Sequence, residues 1–161
     1  MNLMDFNIVP GIAPLDTAAT AISTQFVDIK TAHKISFLVS AGVVTTASVD
    51  DTVTFTVNAA SVQAGTSAVS IPFKYRLSSA ADANSWGALT DATSAGYAPL
   101  GSAVTGKMIY IEVDPADVQK SRPADARWVN LTVTPIATVC NVAAITLLDP
   151  RYKQFNMVSA T

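Results

Sequence analysis

The sequence predicts an all-β chain: a single-domain antiparallel β-sandwich, jelly-roll-like, with an extended N-terminal arm and little helix. Three observations carry this. Thr52–Asn58 alternates without a fault, with Val53, Phe55 and Val57 on one side and Thr or Asn on the other. That period of two is the mark of a strand with one buried and one wet face. The composition agrees: only 14% of the residues are charged, and Glu112 is the only glutamate. Helical surfaces draw on Glu, Lys, Gln and Arg, whereas Thr and Val favour strands. Finally, seven or eight such segments follow one another with short turns between them, the spacing of a sandwich or jelly roll.

At 161 residues the chain suffices for one core. Residues 1–20 form the arm, 21–150 the sandwich and 151–161 a tail. In the arm, Pro10, Gly11 and Pro14 interrupt the apolar Phe6, Ile8, Val9, Ile12 and Leu15. Proline removes a donor and breaks a helix or a central strand. A free tail would be polar, so these residues are expected to lie on their own domain or on a neighbour. In the second case, removing Met1–Leu15 should leave a folded core and weaken assembly.

Ala21–Ile29 is predicted as the first strand, and Lys30–His33 as a turn. Lys34–Asn58 then reads as a hairpin: Ile35, Phe37 and Val39 alternate, Ala47–Asp51 connects, and Thr52–Asn58 returns. Ala59–Ala68 is small and polar, hence a loop. Ser70–Leu77 alternates again, with Pro72 placing it at an edge or bulge and Lys74 and Arg76 guarding that edge. Ser78–Thr105 is a long irregular stretch holding Trp86 and Tyr97. These aromatics are either exposed partner anchors or lids folded over the core.

Lys107–Val113 is a strand with Ile109, Ile111 and Val113 inward. Asp114-Pro115 starts a short helix, Asp as its cap and Pro at the first helical position. Arg127–Thr134 is a strand with Val129, Leu131 and Val133 inward. Val139–Leu148 is apolar throughout, so it is expected at the centre of a sheet. The tail carries Tyr152 and Phe155, too apolar for a free end.

The formal net charge is −2 and there is no basic run, so the electrostatic footprint of nucleic-acid binding is missing. The N-terminus lacks the pattern of a secretion signal, and no apolar run reaches membrane-span length. Cys140 is the only cysteine and is expected to be a buried, inert thiol. His33 is the only histidine, so no histidine pair exists for a metal. No nucleophile elbow, phosphate loop, dinucleotide fingerprint or zinc spacing is found. Asp50 and Asp51 sit in a turn, Asp114 and Asp117 at a helix start, and Asp149 before Pro150, each where Asp is favoured locally. No catalytic, cofactor or metal residue is therefore assigned, and no enzyme activity is expected.

The order of these elements, with KMIYIEVDPADV at Lys107–Val118, RWVNLTV at Arg127–Val133 and LLDPRY at Leu147–Tyr152, resembles small virion proteins of tailed bacteriophages, most of all head decoration (cement) proteins. The resemblance covers about Phe26–Tyr152. It implies a non-enzymatic protein, made in the bacterial cytoplasm, that binds the outside of an assembled capsid through the major capsid protein and stabilises it, often as a trimer. Phe6, Ile8, Val9, Ile12, Leu15, Trp86, Tyr97, Tyr152 and Phe155 are the candidate contact residues. A tail or fibre component is the alternative, as is a carbohydrate-binding sandwich with Trp86, Tyr97 and Trp128 as a stacking platform.

Overall fold

The computed structural model describes residues 6–17, 19–46, 48–121, 126–136 and 139–151. In chain order the elements are β1 (Asn7–Asp16), β2 (Ile22–Ser23), β3 (Val27–Asp28), β4 (Ala32–Thr45), β5 (Val53–Ala60), β6 (Val69–Ile71), β7 (Phe73–Leu77) and β8 (Thr90–Ala92). Then come α1 (Gly101–Val104), β9 (Met108–Val113), α2 (Pro115–Ser121), β10 (Trp128–Pro135) and β11 (Val139–Pro150). One sheet has the order β1-β11-β4-β9-β7-β8. The other runs β2-β10-β5-β6, with β3 also on β10. Every pairing is antiparallel. The predicted all-β antiparallel sandwich is the fold observed; these strand orders alone do not make it a jelly roll.

The alternations place the core. Val53, Phe55 and Val57 from β5 and Val129, Leu131 and Val133 from β10 are buried on one side. Ile35, Phe37 and Val39 from β4 and Ile109, Ile111 and Val113 from β9 meet them from the other, in one contiguous cluster. Cys140 is buried as predicted, and burial pushes its thiol pKa up, which keeps it protonated and inert. Thr146 is an exception in this core: its hydroxyl is covered and has no hydrogen-bond partner among the described residues, a cost of about 1–3 kcal/mol in general.

The predicted hairpin at Lys34–Asn58 is not formed. β4 bonds to β11 and β9, whereas β5 bonds to β10 and β6 in the opposite sheet. Alternation reports which face of a strand is buried, not which strand lies beside it. Two consecutive strands that face one core from opposite sheets give the same pattern as a hairpin. His33, expected in a turn, lies exposed on β4.

The segment Ser70–Leu77 is likewise two strands. Ile71 pairs with Val57 in the smaller sheet, and Lys74–Leu77 pair along β9 in the larger one. Pro72 stands at the crossing, where a missing N–H costs nothing. β7 is no edge, because β8 covers its other side. The first predicted strand, Ala21–Ile29, is broken into β2 and β3, each pairing two residues with β10. Between them the Thr24 hydroxyl accepts from the Leu131 amide at 3.0 Å.

Of the two positions open to the N-terminal arm, its own domain or a neighbour, its described residues take the first. β1 pairs along β11 from Asn7↔Leu148 to Asp16↔Asn141, with register shifts on either side of Ile12. It is the edge strand, the position where Pro10 and Pro14 can be accommodated. Val9 and Ile12 point into the core and are buried. The arm thus lies on its own domain.

Candidate contact face

Paired residues in antiparallel strands share a side of the sheet, so the registers define the outer face of the larger sheet. One row across it reads Pro10, Ile145, Leu38, Tyr110, Arg76. The next reads Ile8, Leu147, Ser36, Glu112, Lys74, Asp91. Four aliphatic side chains therefore stand together on the outside. Ile8 is 43% and Ile145 39% exposed, while Leu38 and Leu147 are half-buried. A shallow recess lined by Pro14, Leu15, Ser40, Val142 and Ala143 continues this surface beside β1.

Beyond Leu38 the face turns aromatic. The Tyr110 and Ser36 hydroxyls are 2.7 Å apart. Trp86 is held by a bridge to Ser78 and by the Gly87 amide donating to the Leu77 carbonyl at 2.8 Å. Its ring meets Tyr110 edge-on at 6.3 Å. The Arg76 guanidinium lies 4.9 Å from the centre of Tyr110 and 5.5 Å from that of Trp86, within cation–π range of both.

The charged end of this face is internally compensated. Lys34 pairs with Glu112 at 3.2 Å and Lys74 with Asp91 at 3.5 Å. Asp114 caps α2 through the Ala116 amide at 2.8 Å, and Asp117 pairs with Lys120 at 2.9 Å. No three of His, Cys, Asp and Glu form a metal-holding group among the described residues.

The outer face of the smaller sheet has a different character. Ser70 donates to the Asn58 side-chain carbonyl at 2.9 Å; the Asn58 amide donates to Asn130 at 3.1 Å and Thr132 at 3.0 Å. The Ser23 and Thr132 hydroxyls are 2.7 Å apart. Polar side chains here satisfy one another. Trp128 closes this face at one end with Arg127 over its ring at 5.5 Å, and Arg127 in turn binds Asp28 at 2.6 Å.

The candidate residues therefore scatter. Ile8 lies on the apolar face and Leu15 beside it, Phe6 is half-buried just ahead of β1, and Val9 and Ile12 are core. Trp86 reaches the face half-buried. Tyr97 turns inward, 3.8 Å from Tyr75 and 6.1 Å from Phe55 by ring centres. Burial, with a smaller contribution from Tyr75, pushes its hydroxyl pKa up to about 12. Trp86 and Trp128 occupy opposite outer faces while Tyr97 lies between the sheets, so no three-ring platform forms. Tyr152 and Phe155 lie outside the described residues. Leu38, Tyr110 and Ile145 complete the face without having been singled out, and Arg76 was read only as an outward edge guard. Leu38 had a signal: an apolar residue between the inward Phe37 and Val39 must point outward.

Comparison with protein-family models, with curated proteins and with solved structures gives no match. Among the described residues no helix is long and apolar enough to cross a membrane.

Proposed function

We propose that this chain is a non-enzymatic structural protein of a phage virion. It binds the outside of the assembled capsid, through the major capsid protein, and braces it as a symmetric oligomer, a trimer in the favoured form. The observation that supports this reading is the asymmetry of the two outer faces. One closes its polar groups on each other, as a solvent face does. The other sets Ile8, Ile145, Leu38 and Leu147 beside an aromatic pair, the composition of an interface core. The sequence resemblance to decoration proteins supplies the identity of the partner.

Such a protein acts by mass action: binding only the assembled lattice stabilises the lattice, and symmetric placement adds avidity to modest contacts. The copy number of this chain in purified virions, measured by quantitative mass spectrometry against the major capsid protein, tests the reading. A ratio near one-to-one is expected. A handful of copies would instead mean a tail, fibre or vertex position, and absence from particles would overturn the structural role.

A further inference from the structure

An arginine lies over a tryptophan on each outer face, and the two pairs differ in one respect. On the smaller sheet, Arg127 over Trp128 binds Asp28 at 2.6 Å. On the larger sheet, Arg76 packs against both Trp86 and Tyr110 with no carboxylate in ion-pair range among the described residues. Its Nε is fully covered and donates to nothing among the described residues. Contact with two rings restricts the guanidinium before any ligand arrives, so less side-chain entropy remains to be lost on binding.

This charge sits on the face proposed above to be buried against a partner. An apolar cover alone would strand a cation, which is far costlier than the apolar contact is favourable. The cover must therefore bring an acceptor. A carboxylate fits best, because two parallel N–H···O bonds match the guanidinium fork. A polyanion is disfavoured: Lys74 in the neighbouring row and Lys34 beyond it are already paired with Asp91 and Glu112, so no free basic patch surrounds Arg76. The aliphatic neighbours Leu38 and Ile145 call for apolar residues on either side of the acid.

We infer that Arg76, packed against Trp86 and Tyr110, is a docking site for a single carboxylate carried on an apolar segment of a protein partner. The inference rests on the reading of this face as a contact surface, not on the partner being a capsid.

The test uses the full chain labelled with 15N and follows the Arg76 side-chain N–H resonance, assigned by its loss in Arg76→Lys. The probes are a short peptide with one glutamate between aliphatic residues, the same peptide with glutamine, inorganic phosphate, and a thymidine oligonucleotide. The glutamate peptide is expected to move the resonance with at least about tenfold higher affinity than the glutamine peptide. Trp86→Ala, which removes one wall, should weaken that response, with unchanged far-UV circular dichroism showing that the fold is kept. Equal responses to the two peptides, or none, would overturn the site. A stronger response to phosphate or oligonucleotide would overturn it in favour of a polyanion. Capsid binding separates the two readings: attachment lost in Ile145→Lys but kept in Arg76→Gln sinks the clamp and spares the face. Attachment unaffected by either variant removes the capsid as the partner of this face, and the titration then decides the clamp alone.

Discussion

A chain lacking residues 1–16 is expected to lose at least about 3 kcal/mol of stability and to aggregate. β1 contributes Val9 and Ile12 to the core, and burying an aliphatic side chain is worth about 1.5–3 kcal/mol. The truncation also strips the ladder along β11 and the 3.1 Å bond from the Cys140 amide to the Asp16 carboxylate. What remains is a twelve-residue strand, Val139–Pro150, with an open edge, and long apolar edges invite pairing between chains. A total stability of 5–15 kcal/mol is typical of such domains, so the loss is a large share. Urea unfolding and light scattering measure it. A monomeric truncated chain with the parent midpoint would contradict the placement of β1. The sequence alone left two outcomes open, and a folded core released from its arm belonged to the one in which the arm lies on a neighbour.

Phe55→Ala is expected to cost about 3–5 kcal/mol, the range for removing a buried ring. Phe55 is completely buried, and its ring is part of a stack that crosses the sandwich. Tyr97 lies against it at 6.1 Å and against Tyr75, from the other sheet, at 3.8 Å. Backbone bonds tie the same two residues: the Phe55 amide donates to the Tyr97 carbonyl at 2.8 Å, and the Tyr97 amide to the Phe55 carbonyl at 3.0 Å. The turn that delivers Tyr97 depends on Gly96, whose φ is +92° and whose missing Cβ would come within 2.5 Å of the Phe55 carbonyl oxygen. Emptying the Phe55 site therefore leaves a cavity and loosens the 93–100 segment. A loss below about 1 kcal/mol by chemical denaturation would mean that this stack does not support the core.

Tyr97 also shows where sequence reading ran out. Strand faces were legible, because Ile35, Phe37, Val39, Ile109, Ile111 and Val113 recur at every second position and bury as a set. The start of α2 was legible from Asp114 and Pro115, and the central place of β11 from its apolar run. Neighbours were not legible. Nothing in Lys34–Asn58 says that its two strands bond in different sheets, and Pro10 and Pro14 hid a strand whose edge position tolerates them. The Arg76 site was equally invisible: Arg76, Tyr110 and Trp86 meet through a β7–β9 register and a loop return, neither of which leaves a period in the sequence. For Tyr97 the sequence left two readings, a surface anchor or a lid over the core, and its backbone pairing with Phe55 holds it as the lid.

The claim that the larger sheet's outer face meets the capsid is tested most directly by co-sedimentation of purified chain with capsids. Two charge insertions are compared, Ile145→Lys on that face and Thr134→Lys on the exposed polar face of β10. Both should fold, since both sites are solvent-accessible. The account predicts that Ile145→Lys weakens attachment at least about tenfold, as a charge placed at the centre of an interface does, while Thr134→Lys binds like the parent. Equal attachment of the two, or loss confined to Thr134→Lys, would contradict it.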